Sequence, residues 1–317
     1  MRKKSNVPNV LMLKMELTIA GFSVRLELAE EFEGFLMPES WKPFLGKKGK
    51  GNREKGKGLE AQPVFTMRVE TRRRDEARVA TAGMREVTSS FNDLGVATLF
   101  TDGSRYVVGV APLPESGLSY MELSEDFSSA TVRMRKDDPR FAFILDAMMR
   151  IWFSQAIVAH RAFLLHASVV TAAGKACLFM GKSGTGKSTH SRQWLSTFSD
   201  TSLLNDDNPV VRISDAGVIT IYGSPWSGKT PCYKNESAPA GGFVRLRQAP
   251  YNEYTPLEGV DAFIAILPGV SVISHNRRLY GAACATVIDT VGAVPVGSLA
   301  CLPDSASALL CRQKLTT

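Results

Sequence analysis

A glycine-rich segment that ends in a lysine and a serine carries the clearest chemistry in the sequence. It runs Gly181-Lys-Ser-Gly-Thr-Gly-Lys187-Ser188, follows an apolar run and precedes a predicted helix, as the pattern G-x-x-x-x-G-K-[ST] requires. Glycines allow successive N–H groups to turn toward one anion, and a helix N-terminus adds positive potential. The segment therefore predicts a phosphate-binding loop (P-loop) for ATP. The predicted ATP-binding residues are Gly181, Ser183, Gly184, Thr185, Gly186, Lys187, Ser188 and Thr189.

Two adjacent acids supply the residues that a phosphate site needs for a metal ion and a proton. Asp206 and Asp207 end a predicted strand about twenty residues after the loop. We expect Lys187 to place its charge on the β and γ phosphates, and the Ser188 hydroxyl to bind Mg²⁺. One acid can hold the same metal while the other accepts a proton from an attacking hydroxyl. An Asp-Asp-Asn-Pro string on its own would be a turn.

Two further residues are weaker candidates for the same site. His166 lies in a predicted strand that begins near Phe163, and a neighbouring strand could bring it close to the metal. The alternative is a hydrogen-bonded histidine in the core. Lys229, in the segment GSPWSGKT, belongs either to a second loop that faces the phosphates or to an ordinary turn. Arg245 and Arg247 could neutralise transition-state charge, or could simply be exposed on a strand.

The elements around these residues change character near residue 135. Residues 9–28 alternate apolar and polar positions on both sides of a turn at Ala20-Gly21, and further strand-like runs follow, so residues 1–135 predict a β-rich domain. Residues 136–317 predict a second domain that begins with a long helix from Asp138-Pro139 to about Arg161. This second domain alternates strands and helices around the glycine-rich loop.

The charge distribution and the cysteines indicate which partners and which cellular compartment to expect. The net charge is +7, but residues 46–58 hold six Lys or Arg and one Glu, which indicates a solvated basic loop rather than a specific nucleic-acid site. The five cysteines are widely spaced and form no C-x-x-C pair, so a reducing, cytoplasmic location is expected. The sequence predicts no signal peptide and no membrane span, and it leaves a homo-oligomer open.

The order of motifs resembles the HPr kinase/phosphorylase and phosphoenolpyruvate carboxykinase superfamily. The resemblance rests on His166-Ala-Ser, the segment from Gly181 to Thr189, and Asp206-Asp207, and it covers roughly residues 140–270. It implies an α/β (α+β) fold whose P-loop core has mixed strands. It also implies that Ser188 and Asp207 serve Mg²⁺, that Asp206 is the general base toward a seryl hydroxyl, and that His166 is a metal ligand. Relatives of this type include kinases of peptide serines in lasso-peptide pathways.

Three functions are consistent with these features. The first is a Mg-ATP-dependent kinase whose acceptor is a serine of a peptide or protein, with a small molecule as the second acceptor class; Asp206, Lys187, His166 and Lys229 are its catalytic candidates. The second is a carboxykinase-like enzyme that acts on a small carboxylic acid. The third is a nucleotide-sensing regulator whose N-terminal part binds a partner.

Overall fold

The computed structural model describes residues 12–46, 64–72, 80–92, 95–113 and 117–316. Within these ranges the chain is a mixed α/β protein with two mixed sheets, which is the general class that the sequence predicts. It divides into two compact units, one formed by Met1–Glu39 with Leu45–Trp152, the other by Ser40–Phe44 with Phe153–Thr317. Apart from Gly46, the predicted basic loop 46–58 lies outside the described residues.

The first unit is built on an eight-stranded sheet with the order β1-β2-β3-β8-β7-β6-β5-β4. Its neighbours pair antiparallel except for β2 with β3 and β3 with β8, which are parallel. The strands are β1 Met12–Ile19, β2 Phe22–Ala29, β3 Val64–Thr71, β4 Arg85–Asn92, β5 Gly95–Thr101, β6 Tyr106–Ala111, β7 Ser119–Leu123 and β8 Ser129–Met134, and 3-10 turns occupy Glu30–Phe32 and Glu39–Phe44.

The predicted first hairpin is confirmed, and its turn explains why it could be predicted. Ala20 and Gly21 connect β1 to β2 with φ values of 52° and 77°. In β2, Val24 and Leu26 are buried on one face while the residues between them are half-buried, which is the period of two that the sequence displays.

Gly95 is a position in the first unit where a side chain cannot be accommodated. Its φ is +80°, and a Cβ there would collide with the carbonyl oxygens of Ala111 and Pro112. We expect Gly95→Ala to lower the free energy of unfolding by about 2–3 kcal/mol, because it adds a steric clash to the cost of a left-handed alanine. Chemical denaturation of the purified chain measures this loss.

Gly103 provides the matched control. Its φ is +102°, but no described atom lies within 4 Å of the Cβ position. Gly103→Ala should therefore cost only the backbone strain, about 1 kcal/mol. Equal losses for the two variants would contradict the steric explanation at Gly95.

The second unit contains a nine-stranded sheet with the order β12-β10-β11-β15-β14-β13-β9, with β17 between β15 and β16. Its strands are β9 Ala162–Leu164, β10 Ala167–Ala172, β11 Lys175–Met180, β12 Thr201–Asn205, β13 Val210–Ile213, β14 Ile219–Tyr222, β15 Ser237–Gln248, β16 Glu253–Leu257 and β17 Val296–Cys301. The helices are α1 Phe141–Ala156, α2 Lys187–Thr197, α3 Gly259–Ile266, α4 Arg277–Val291 and α5 Ser305–Thr316, with 3-10 turns at Val158–His160 and Leu267–Gly269. The two units divide within α1.

Helices cover both faces of this second sheet. On β11, Leu178 packs in the cluster that includes Val287 of α4, whereas the next residue, Phe179, packs in the cluster that includes Trp194 of α2. Successive strand residues point to opposite faces, so both faces of β11 are buried. This explains why the run ACLFM contains no polar residue. β11 and β15 are parallel, as are β15 and β17, and every other pair is antiparallel.

The prediction of one continuous strand through His166 is wrong. The chain forms two strands, β9 and β10, and His166 lies in the break between them. The main chain changes partners there: the N–H of His166 bonds to Gly269 O at 2.8 Å, and the N–H of Ala167 bonds to Asp207 O at 3.0 Å. β9 then pairs with β13, while β10 lies between β11 and β12.

The helix α1 also ends earlier than predicted. It stops at Ala156 instead of continuing to about Arg161, because a 3-10 turn follows and Arg161 takes a left-handed conformation with a φ of 53°. Among the described residues, no helix combines the length and the apolar character needed to cross a membrane.

Candidate active site

The glycine-rich loop connects the end of β11 to the start of α2. Gly181, Gly184 and Gly186 have φ values of 152°, 82° and 106°, and no described atom lies within 4 Å of a Cβ at Gly184 or Gly186. These two positions therefore require glycine for backbone conformation and not for packing. The Thr185 hydroxyl donates to Lys182 O at 2.7 Å, which closes the loop on itself.

The antiparallel strand β10 explains how distant residues meet near this loop. β10 lies between β11 and β12 and runs against both, so its first residues lie where the two neighbours end. In register, Ala167 is opposite Met180 of β11, and Val169 is opposite Asn205 of β12. The residues that begin β10, the loop that follows β11 and the acids that follow β12 are thus brought to one edge of the sheet.

Asp206 is a buried carboxylate: one of its oxygens accepts a hydrogen bond, and the other has no hydrogen-bond partner among the described residues. The residue is 3% exposed, and its Oδ1 accepts a hydrogen bond from the Ser168 hydroxyl at 2.8 Å. Ser168 Oγ also lies 2.6 Å from Ser191 Oγ. A hydroxyl has one proton to donate, so Ser168 must accept from Ser191 when it donates to Asp206. The buried Oδ2 of Asp206 has no hydrogen-bond partner among the described residues.

A second chain of polar contacts at the same edge connects Lys187, His166 and Asp207. Lys187 Nζ lies 2.8 Å from His166 Nε2 and donates to Gly181 O at 3.1 Å. His166 Nδ1 lies 2.8 Å from Asp207 Oδ1. An imidazole that donates from Nδ1 to the carboxylate can accept from the ammonium at Nε2, so this arrangement uses a neutral histidine. Both ring nitrogens are engaged.

Burial and the nearby carboxylates shift the pKa of Lys187 in opposite directions. Burial lowers the pKa of Lys187 from its usual value, and the nearby carboxylates of Asp207 and Asp206 act to raise it. Further along α2, burial lowers the pKa of His190 to about 4, so this imidazole is neutral at neutral pH and accepts from Trp194 Nε1 at 3.1 Å. This uncharged, buried contact joins two residues one turn apart within α2.

Comparison with known proteins gives no family. A scan against protein-family models and a search of the curated proteins both returned no match for this chain.

Asn205 fixes the turn that carries both acids. It is fully buried, and its Oδ1 accepts from the N–H groups of Asp207 at 2.9 Å and Asn208 at 2.8 Å. Its Nδ2 donates to Trp226 O at 3.1 Å, and the Ser224 hydroxyl donates to Asn208 O at 2.6 Å. One amide thus positions the acids and ties their turn to the segment that follows β14.

Replacing Asn205 by aspartate tests this role. Asn205→Asp keeps both acceptor contacts but removes the donor to Trp226 O and adds a buried negative charge beside Asp206. We expect the free energy of unfolding to fall by about 3 kcal/mol. The exposed Asn235, whose Nδ2 donates to Pro43 O at 3.3 Å, is the matched control. A denaturant titration in which Asn235→Asp costs as much as Asn205→Asp would contradict the prediction.

The remaining candidates lie around the edge without forming part of either polar chain. Ser188 and Thr189 are half-buried in the first turn of α2, and Thr189 Oγ1 accepts from Arg192 at 3.4 Å. Lys229 is exposed in the segment after β14. Of the two arginines in β15, Arg245 donates to Ile264 O at 3.1 Å, which places its charge on the end of α3.

Sequence reasoning missed four polar residues of this edge. Ser168 and Ser191 orient Asp206, Asn205 shapes the turn, and Gln248 at the end of β15 donates to Gly184 O at 3.2 Å. Ser168 and Asn205 adjoin quoted motifs, so their polar character within apolar strands was a usable signal. The sequence gives no such signal for Ser191 or Gln248, because their hydrogen-bond partners are 23 and 64 residues away.

A divalent cation at this edge would be bound with few protein ligands. Among the residues that the structure describes, no three His, Cys, Asp or Glu side chains are grouped to hold a metal ion. Mg²⁺ usually takes one or two carboxylates and completes its shell with substrate phosphates and water. The donors near the loop, Ser188, Asp206 and Asp207, offer hydroxyl and carboxylate oxygens, the type that Mg²⁺ takes.

Proposed function

We propose that this chain is a Mg-ATP-dependent phosphotransferase that moves the γ-phosphoryl group to a hydroxyl, in particular a serine of a peptide or protein. The observation that carries the proposal is the buried carboxylate of Asp206, whose Oδ2 is unpartnered among the described residues and whose charge acts on Lys187. A base and a phosphate-binding cation near one another are the two groups that phosphoryl transfer needs most.

The arrangement of elements supports a P-loop core of the type that the sequence resembles. The glycine-rich loop joins a strand to a helix, and that strand lies in a mixed sheet with an antiparallel neighbour on one side and a parallel neighbour on the other. This differs from the fully parallel sheet of Ras-like proteins and agrees with a carboxykinase-like core. In this proposal the loop residues hold the phosphates of ATP, which is the phosphoryl donor.

The proposed chemistry assigns one role to each side chain. Lys187 neutralises charge on the β and γ phosphates, and Ser188 and Asp207 hold Mg²⁺. When bound, the metal supplies positive charge that stabilises negative charge developing on the phosphate oxygens. Asp206 Oδ2 accepts the proton of the attacking hydroxyl, whose oxygen bonds to the γ phosphorus as the bond to the β–γ bridging oxygen breaks and ADP leaves. His166 orients Asp207 and Lys187.

A label-transfer experiment tests the proposal. The pure protein is incubated with Mg²⁺ and γ-labelled ATP in a host-cell extract, and labelled peptides, proteins and metabolites are separated. We expect a labelled product that is absent without the protein and absent when EDTA removes the metal. Binding of ATP without movement of label under any condition would instead favour a nucleotide-sensing regulator. Turnover of oxaloacetate in a parallel assay would favour the carboxykinase-like alternative.

A further inference from the structure

A cavity in the first unit lies where three strands of the eight-stranded sheet end or begin. β3 and β8 are parallel neighbours that end at this edge, and the N–H of Arg72, after β3, bonds to Met134 O at 2.7 Å. β7 runs against β8 and begins at the same edge with Ser119. The cavity measures about 200 Å³, and the charged residues that line it are Arg72, Arg135, Asp137, Asp138 and Arg140.

The two aspartates do not neutralise the three arginines of this cavity. Asp137 is bound by Arg135, whose Nε and Nη2 donate to its two oxygens at 3.0 and 2.7 Å. Asp138 Oδ1 accepts the backbone N–H of Arg140 at 2.9 Å, but it lies 3.8 Å from Arg140 Nε, which is too far for a hydrogen bond. The guanidinium groups of Arg72 and Arg140 therefore have no hydrogen-bonded carboxylate among the described residues.

Both of these guanidinium groups belong to the cavity wall. Arg72 Nη1 donates to Leu118 O, and the residues on either side of Leu118, Gly117 and Ser119, line the cavity. The Nε atoms of Arg72 and Arg140 are buried and have no hydrogen-bond partner in the part of the chain that the structure describes. A ligand does not need to reach Nε, because the charge of a guanidinium is delocalised and an anion at the Nη atoms neutralises it. The Arg140 side chain is 40% exposed, so a ligand can contact its outer end.

The size and the charge of the cavity favour a small anion with more than one negative charge. Its volume is below the roughly 300–1,000 Å³ that is typical of sites for drug-sized ligands. A carboxylate is satisfied by one guanidinium, as Asp137 is by Arg135. A phosphate group carries up to two negative charges and several strongly accepting oxygens, so it can bind the guanidinium groups of Arg72 and Arg140 together.

We propose that this cavity is a binding site for a phosphate group, either the free ion or a small phosphate monoester, and that Arg72 and Arg140 hold it. The site shares no residue with the glycine-rich loop, which belongs to the second unit. It is therefore a second anion site of the chain, and it does not depend on the proposed phosphotransferase function.

Titration calorimetry of the full chain with inorganic phosphate tests the proposal, with phosphoserine and acetate titrated in parallel. Lys187→Met removes the cation of the glycine-rich loop and so separates binding there from binding in the cavity. Arg140→Gln removes one of the two proposed ligand-binding groups, and Arg140→Lys keeps its charge without the planar fork. Arg85→Gln is the matched control, because Arg85 is an exposed arginine in β4 of the same unit.

We expect phosphate binding to persist in the Lys187→Met chain and to weaken at least about tenfold when Arg140→Gln is added to it. Arg140→Lys should lie between these two, Arg85→Gln should have no effect, and acetate should bind at least about tenfold more weakly than phosphate. Tighter binding of phosphoserine than of phosphate would assign the site to an organic phosphate, and weaker or equal binding would assign it to the free ion.

A second measurement needs no variant and locates the anion directly. Phenylglyoxal modifies accessible arginines, and mass spectrometry of the unaltered chain measures the extent at each position. Phosphate should protect Arg72 and Arg140 and leave Arg85 as reactive as before.

Four results would overturn the inference. An unchanged phosphate affinity after Arg140→Gln, or equal modification of Arg72 and Arg140 with and without phosphate, would show that the cavity does not hold the anion. Loss of all phosphate binding in the Lys187→Met chain would place the anion at the glycine-rich loop. Acetate that binds as tightly as phosphate would assign the cavity to a carboxylate instead. Failure of label transfer from ATP would remove the proposed function and leave this site unaffected.

Discussion

Replacing Lys187 by methionine is expected to lower the rate of phosphoryl transfer by about 10²–10³-fold, because a buried, preoriented donor to the developing charge is lost. Methionine keeps an unbranched chain of similar length, so the volume at the mouth of the glycine-rich loop is nearly preserved. What disappears is the ammonium that lies 2.8 Å from His166 Nε2 and 3.1 Å from Gly181 O. The measurement is transfer of label from γ-labelled ATP to the acceptor that the unaltered chain labels.

The fold should survive this substitution. Burial lowers the pKa of Lys187, which means that the site holds an ammonium at a cost in desolvation. Removing the charge relieves that cost and offsets the lost contacts, so the denaturation midpoint without nucleotide should change little. Lys182→Met is the matched control, because Lys182 lies in the same loop and its side chain is exposed. Equal losses of transfer in the two variants would show that the loop needs any cation and not Lys187 in particular.

The turns of this fold could be predicted because their sequence signals are local. Ala20-Gly21 and Ala173-Gly174 both separate apolar strand runs, and all four residues have positive φ values. A glycine that tolerates this conformation marks the position of the turn without knowledge of the rest of the chain. The strand, loop and helix around Lys187 were likewise predictable from a run of adjacent residues.

The break at His166 could not be predicted because it depends on residues far along the chain. FLLHASVV is a continuous strand by pattern, and it is divided only because its successive N–H groups bond to the oxygens of Pro209, Gly269 and Asp207. The same limit applies to the buried chain from Ser191 through Ser168 to Asp206. Its members lie on a helix, a strand and a turn, and only the packed sheet brings them together.

The different surroundings of the two adjacent acids could not be derived from their residue type, although the resemblance gave them different roles. The pair reads as two equivalent carboxylates, yet Asp206 is directed into the core toward Ser168, and Asp207 contacts His166 and accepts from Asn208 Nδ2. Both acids lie in the turn after β12, where Asp206 is buried and Asp207 is half-buried. The hydrogen bonds that Asn205 Oδ1 accepts from the N–H groups of Asp207 and Asn208 fold the turn in this way.

Asp206→Asn is expected to lower phosphoryl transfer by about 10²–10⁴-fold while ATP binding persists, because the variant loses the general base and little else. An asparagine has the same shape, and its Oδ1 can still accept from the Ser168 hydroxyl. Its amide places a donor where Oδ2 stands, and an amide cannot take the proton of the acceptor. The substitution also removes a buried charge whose second oxygen is unpartnered among the described residues, so the stability of the variant should equal or exceed that of the unaltered chain.

The dependence on Mg²⁺ separates the roles of the two acids. If Asp207 holds the metal, Asp207→Asn should raise the Mg²⁺ concentration needed for half-maximal transfer, and added Mg²⁺ should restore part of the rate. Asp206→Asn should stay slow at every Mg²⁺ concentration, because a proton acceptor cannot be replaced by more metal. Asp215→Asn, the same change in an exposed turn, is the control and should leave both the rate and the Mg²⁺ requirement unaltered. Rescue of Asp206→Asn by Mg²⁺ would reverse the two assignments, and full activity of Asp206→Asn would leave the phosphotransferase without the base on which the proposal depends.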